Sequence, residues 1–238
     1  MVPTLPAMTD RQPADPDFFT SKLLAWFKEH GRVFPWRQTD DRYRILICEV
    51  LLRRSRSSTV AKVAERFFER WPTPATLADA EVEDVTDVIR PLGLTKRAGQ
   101  LIDLGQALDE ASSFPDSINA LTELPGVGRY AAAATLGEPT VDGTSARVYR
   151  RYFGWLDATE HKTVDDELWK LVDTALPHEA TTVRRLNWAV LDLAAYLCAP
   201  ARPMCDRCPL VERCRWALFP VRDRATTDSP APVNSSRD

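Results

Sequence analysis

The chain has no run approaching the roughly 18 apolar residues of a membrane span, so no membrane partner is expected. Its opening, Met1 to Pro16, holds four prolines and no apolar core of the kind a secretory signal needs. That stretch, 1–16, reads as a disordered leader, and 221–238 as a polar disordered tail. Without an export signal the protein is expected inside the cell, in the cytoplasm or, in a prokaryote, with the nucleoid. Thiols stay reduced there, and clustered cysteines are more often metal ligands than disulfides. Alternating strand patterns and internal repeats are also missing.

What is present is ordinary in bulk. Of 238 residues, 44% are hydrophobic and 27% charged, enough for one or two domains with a buried core. A net charge of −3 argues against an extensive nucleic-acid surface, but distribution matters more than the sum. Arg42, Arg44, Arg53, Arg54 and Arg56 crowd one stretch and Arg147, Arg150 and Arg151 another; Arg184, Arg185, Arg202, Arg207, Arg213 and Arg215 form a third. Acidic residues gather from Asp79 to Asp87 and from Asp157 to Glu167. Solvated faces and a two-faced binding protein both fit that pattern.

Helical spacing dominates, and the fold class is all-α. Val60, Val63, Ala64, Phe67, Phe68 and Trp71 lay one stripe along a helix ended by Trp71-Pro72-Thr73-Pro74. Val82, Val85, Val88 and Ile89 predict a short helix stopping at Pro91 and Gly93, and Leu101, Leu104, Ala107 and Leu108 predict another. Ala131 to Leu136 is alanine-rich with high helix propensity. Thr163-Val164-Asp165-Asp166 resembles a capping box before the helix of Leu168 and Trp169. Leu186 to Leu197 predicts a long, largely buried helix.

Directly after it, Cys198, Cys205, Cys208 and Cys214 are spaced C-x6-C-x2-C-x5-C. Four thiolates so placed can wrap one cubane cluster, one sulfur per iron. Zinc competes, although structural zinc sites usually pair two short knuckles and only one C-x2-C exists here. The fifth cysteine, Cys48, lies in an apolar run and reads as a small buried residue.

Leu124-Pro125-Gly126-Val127-Gly128-Arg129-Tyr130 sits between two predicted helices. Two glycines two apart permit either a plain turn or a nest of N–H groups that suits a phosphate. Fourteen residues after Gly128 stands Asp142, which alone would read as a helix cap. Glu49 lies in the almost wholly apolar Ile45 to Leu52. A carboxyl there is paired, or has its pKa raised by desolvation, or sits on a helix surface.

The hairpin, the aspartate and the cysteine spacing together resemble the helix-hairpin-helix (HhH-GPD) DNA glycosylase superfamily. Within it the chain is similar to the iron–sulfur branch of MutY and endonuclease III, and most of all to the mismatch-specific thymine glycosylases. The resemblance runs from about Phe34 to Cys214. It includes Phe34-Pro35-Trp36-Arg37, Glu49 to Arg54, Gly93-Leu94 with Arg97-Ala98, and Cys198-Ala199-Pro200. It implies two helical domains with a DNA cleft between them. One is a six-helix barrel, 40–137, carrying the hairpin at 124–130; the other is an iron–sulfur cluster domain, 138–220, with an N-terminal helix, 17–39, packed on it.

The resemblance also implies a chemistry. Asp142 matches the carboxylate that stabilises the sugar cation when an N-glycosidic bond breaks, and Glu49 the glutamate with which MutY protonates adenine. Tyr130 stands where bifunctional members place a Schiff-base lysine, so a monofunctional glycosylase is expected. By the same resemblance Cys198, Cys205, Cys208 and Cys214 hold a [4Fe–4S] cluster. Leu124, Gly126, Val127, Gly128 and Arg129 meet a phosphate, with a monovalent cation as a further possibility at the hairpin. Arg53, Arg54 and Arg202 contact DNA, the first two at the gap left by a flipped base, at the orphaned guanine or at phosphates, with plain helix-surface charge as the other reading of that pair. The partner is double-stranded DNA holding a mismatch or damaged base, and the protein is expected to act as a monomer.

Arg53-Arg54, Tyr130, the segment Gly93 to Ala98 and the chain's stop soon after the cysteines depart from MutY and resemble thymine glycosylases acting at G·T and G·U. Thr144, two residues after Asp142, fits neither type, since both usually have asparagine there. Thymine or uracil opposite guanine is the expected target. An adenine glycosylase for A·G or A·8-oxoG and a non-catalytic DNA-binding module are the alternatives.

Overall fold

The computed structural model describes residues 15–93, 95–154 and 164–218. Leu94, Thr163, the expected tail and all of the expected leader except Asp15 and Pro16 lie outside the described residues. Those two open the first helix: Asp15 is the N-cap, its side chain accepting from Phe18 N at 2.9 Å, and Pro16 takes the first turn, where its missing N–H costs nothing.

The described residues form twelve α-helices and no strand. They are α1 (Pro16–His30), α2 (Arg42–Leu52), α3 (Ser57–Arg70), α4 (Pro74–Ala78), α5 (Val82–Ile89) and α6 (Ala98–Glu110). After these come α7 (Ile118–Thr122), α8 (Arg129–Leu136), α9 (Gly143–Phe153), α10 (Asp166–Ala175), α11 (Ala180–Tyr196) and α12 (Arg215–Leu218). The stripe on α3 buries Val60, Val63, Ala64 and Phe67, as its spacing predicts. Asp165, not Thr163, caps α10, accepting from Leu168 N at 2.8 Å. The expected box was therefore placed two residues too early: aspartate is as good a cap as threonine, and here it stands directly before the helix.

Two apolar cores result. One gathers buried residues from Trp36 to Ala132; the other joins Phe19 and Leu23 of α1 to residues from Ala133 to Leu210. α8 serves both: Ala131 and Ala132 belong to the first core, Ala133 to the second. An alanine run lets neighbours approach the helix on every side, so α2 and α11 both pack on it. Cys48 is buried in the first core, as its apolar surroundings predict.

One basic stretch is not a surface. Arg147, Arg150 and Arg151 are 8%, 1% and 2% exposed. Arg147 Nε donates to Cys198 O at 2.9 Å, and Arg151 donates to Ala199 O at 2.8 Å and Pro200 O at 2.7 Å. Carbonyls leaving the end of α11 have no helical partner, and these guanidiniums supply the donors. Arg150 pairs with Asp165 at 3.4 Å.

Candidate active site

Between the two cores lies a cavity of about 640 Å³. Glu49, Arg53, Arg54, Gly128, Arg129, Tyr130, Asp142 and Thr144 all line it, although the sequence scatters them over nearly a hundred residues. Arg32, Phe34, Trp36, Arg37, Trp188 and Leu191 also line it.

Glu49 sits near the end of α2, a helix with eight buried positions. It is 7% exposed. Burial lifts its carboxyl from 4.5 to about 7; the charge of Arg37 opposes the rise and that of Asp142 adds to it. A carboxyl poised there is protonated in a good share of molecules at neutral pH and can donate a proton.

Asp142 is both the helix cap and a cavity residue. Its Oδ1 accepts from Thr144 N at 2.8 Å and Ser145 N at 2.6 Å, while Ser145 Oγ accepts from Asp142 N at 2.9 Å. Among the described residues no hydrogen bond reaches Oδ2. The two readings of this aspartate are thus compatible: the cap occupies one oxygen and leaves the other without a cap bond. Tyr130, half-buried on α8, has its hydroxyl pKa held well above the ordinary value by burial and by the charges of Glu49 and Asp142, against a hydrogen bond with Thr140. It is a neutral phenol, with no amine to attack a sugar.

At the hairpin, Gly126 has φ +76°, and a Cβ there would lie 2.6 Å from the Gln100 side chain. Gly128 has φ −101° and nothing within 4 Å of a Cβ. Val127 turns its side chain into the first core and its N–H into the turn, donating to Leu124 O at 3.2 Å. Arg53 Nη1 donates to Gly126 O at 3.0 Å, tying the end of α2 to the hairpin. Arg54 has φ +61°, the left-handed region that a non-glycine residue enters at a cost, and stands exposed at the cavity wall. Arg129 lies over the Trp169 ring at 4.2 Å and pairs with Asp166 at 2.9 Å. Arg202 is exposed, in the loop between the first two cysteines.

The sequence reading missed the opposite wall. Asp192, wholly buried on α11, accepts from Arg32 and Arg37, and Arg37 lies 5.1 Å from the Phe34 ring and 5.5 Å from that of Trp188. The signal was there, since Asp192 is a lone acid in the apolar Leu186 to Leu197, as Glu49 is in its own run.

Cys198, Cys208 and Cys214 pack at the edge of the second core. Burial, with smaller contributions from Cys198 and Cys205, pushes the thiol of Cys208 up to about 12 and that of Cys214 up to about 11. Arg151 Nη1 is 3.3 Å from Cys198 Sγ. Among the described residues no three or more His, Cys, Asp or Glu side chains are arranged to hold a single metal ion.

A family model described as "HhH-GPD superfamily base excision DNA repair protein" matches residues 47–174. A thymine-DNA glycosylase of Aeropyrum pernix is 34% identical over 203 residues, 81% of this chain and 91% of that protein. An adenine DNA glycosylase of Buchnera aphidicola is 27% identical, over 87% of this chain and 63% of that one. A solved structure of a thermostable thymine-DNA glycosylase superposes with a TM-score of 0.77 at 31% identity, over 85% of this chain and 96% of the other.

Proposed function

The chain belongs to the HhH-GPD superfamily of base excision DNA repair proteins, and from that premise we propose a monofunctional DNA N-glycosylase that removes thymine or uracil mispaired with guanine. The observation that carries the chemistry is the pair Glu49 and Asp142 on one cavity, the first lifted to about 7 and the second with one oxygen held by two N–H groups. In the reaction the bond between base and C1′ breaks with its electron pair going to the base. Glu49 gives that base a proton, Asp142 faces the positive sugar, and a water's oxygen bonds to C1′ as its proton passes to the Asp142 carboxylate. Tyr130 cannot form an imine, so the product is an intact strand with an abasic site. The choice of a pyrimidine opposite guanine follows the thymine glycosylase relatives.

Duplex DNA would reach the cavity across the hairpin. Gly128, open on its outer side, lets a phosphate approach the start of α8. A cation at the hairpin would share the Gly126 carbonyl with the Arg53 guanidinium, so Arg53 supplies the positive charge there. Arg54 is then the side chain free to meet the orphaned guanine. Arg129 is held by Trp169 and Asp166 beside that path.

Cys198, Cys205, Cys208 and Cys214 would hold a [4Fe–4S] cluster. The four clustered thiols and the buried Arg151 suit its negative charge, and one cysteine per iron spreads the donors more widely than a zinc tetrahedron. Such a cluster supplies no group to the bond that breaks; it pins the loop carrying Arg202. This enzyme would act inside the cell, as a monomer of two domains divided near the start of the second core.

The test is excision from end-labelled duplexes holding G·T, G·U, A·G and A·8-oxoG, each split with and without alkali. Strand breaks at G·T and G·U only after alkali, lost in Asp142→Asn, are expected. Excision only from A·G or A·8-oxoG would give the adenine reading, and breaks without alkali would sink the argument from Tyr130.

A further inference from the structure

Tyr149 has no role in the chemistry above, yet it is one of the most buried polar side chains in the protein. It is 0% exposed, in the second core, its ring 6.0 Å from that of Phe19. Its hydroxyl meets no hydrogen-bond partner among the described residues. A buried hydroxyl without a partner costs stability, and phenylalanine would fill the same space without that cost.

Where the side chain points is fixed by helix geometry. Asp142 caps α9 and Tyr149 lies seven residues along, two turns on, so both occupy one face. The axial separation is about 10 Å. Helical side chains lean toward the N-terminus, and a tyrosine is long enough to carry its hydroxyl most of that way. The tyrosine's own pKa agrees: burial raises it, and so does the charge of Asp142. Tyr130, reaching in from α8, also feels Tyr149. The Tyr149 hydroxyl, buried without a partner, and Asp142 Oδ2, which neither cap bond uses, thus lie along one face of α9.

We propose that Tyr149 is a positioning residue for Asp142, its hydroxyl donating through one bridging water to Oδ2 and so fixing the plane of the carboxylate beneath the sugar of a flipped nucleotide. The two cap bonds converge on Oδ1 and leave the carboxylate free to pivot about it. A third, buried attachment at the second oxygen removes that freedom. A fixed carboxylate stabilises a developing cation better than one that must reorient during the reaction. The inference rests on reading Asp142 as the carboxylate beside the sugar, whichever base is excised.

Tyr149→Phe separates this role from a merely structural one. Excision is measured with enzyme in excess over a G·U duplex, alongside the melting temperature. Binding is measured to duplexes holding a cationic pyrrolidine abasic mimic or a neutral tetrahydrofuran one. The expected result is a fall of about ten-fold in excision rate and a similar loss of affinity for the cationic mimic. Affinity for the neutral mimic stays at the parental value, and the melting temperature does not fall. A variant with parental rate and parental preference for the cationic mimic overturns the inference. So does one that loses affinity for both mimics alike. If the parent excises none of the mismatches, the proposed base specificity fails while the two mimics still test Tyr149.

Discussion

Asp192 accepts both terminal nitrogens of Arg37, at 2.9 and 3.1 Å, with none of its own side chain exposed. It also accepts from the backbone N–H of Arg32 at 2.7 Å and from its Nε at 2.8 Å. Burial pushes this carboxyl up, but hydrogen bonds and charge from Arg37, and then Arg32, outweigh it and hold the group below its ordinary value. The network fastens α11 to the segment after α1, and with it one wall of the cavity. Asp192→Asn keeps the shape and removes the charge, leaving two guanidiniums without their counter-ion. A loss of about 3–5 kcal/mol is expected in denaturant unfolding at neutral pH. Because the folded pKa is depressed, the parent's advantage is present above the ordinary carboxylate range and is lost as pH falls through the folded value. Equal stability of the two proteins at pH 7 would show that the network contributes nothing.

Glu49 should make both stability and rate depend on pH near neutrality. Its pKa is raised by burial, and by Asp142 against Arg37. A carboxyl of this kind contributes stability that is whole below about 4.5 and is lost as pH rises through about 7. Glu49→Gln should therefore match the parent at pH 4 and exceed it by roughly 1–3 kcal/mol at pH 8. Parental excision should decline as pH climbs through about 7 while Glu49 loses its proton. The Gln variant should be slow at every pH, without that decline. Melts from pH 4 to 9 and single-turnover rates from pH 5 to 9 read both effects.

The two hairpin glycines should respond differently to alanine. At Gly126 the left-handed backbone and the Gln100 side chain both oppose a Cβ. Gly126→Ala should cost about 1–2 kcal/mol of stability. At Gly128 neither obstacle exists, so Gly128→Ala should melt like the parent. It should nonetheless weaken binding to any duplex, matched or mismatched, because the added methyl stands where a phosphate would approach. Parental affinity in Gly128→Ala would remove the phosphate from this position.

How much of this was legible in the chain follows from how far apart the partners lie. Helix spacing is a local property, and so the stripe on α3, the alanine run of α8 and the all-α class read directly from the residues. Glu49 was legible because a lone acid in an apolar run has few outcomes. Asp142 read as a cap without the family resemblance and turned out to be one, so its place on the cavity lay beyond local pattern. Arg147 and Arg151 look like surface charge in sequence; their burial depends on carbonyls about fifty residues later that need donors. Asp192 carried the same signal as Glu49, but its partners lie in the loop before α2, about 160 residues earlier. Tyr149 passes for an ordinary core aromatic until its hydroxyl is found buried without a partner.

The cysteine loop gives the last prediction, and it separates a cluster from a zinc site and a structural role from a catalytic one. Protein purified without oxygen should carry about four irons per chain with sulfide and absorb visible light, where zinc would give about one colourless ion. Cys208→Ser removes a ligand from the middle of the wrap, and iron content and colour should fall together. Arg147 and Arg151 would still hold Cys198, Ala199 and Pro200 to α9 through five hydrogen bonds, one to sulfur, three to carbonyls of these residues and one to Ala194 O. The first part of the loop should therefore keep its place, while the stretch from Cys205 to Cys214 loses a ligand and loosens around its remaining anchors, Leu210 in the second core and Arg213 on Asp15. Affinity for duplex DNA should drop and its salt dependence flatten, as the loop carrying Arg202 no longer meets the backbone. The rate of excision with DNA fully bound should change little, because no atom of this loop lines the cavity. A large fall in that rate at saturating enzyme would move the cysteines from holding the DNA surface to shaping the reaction itself.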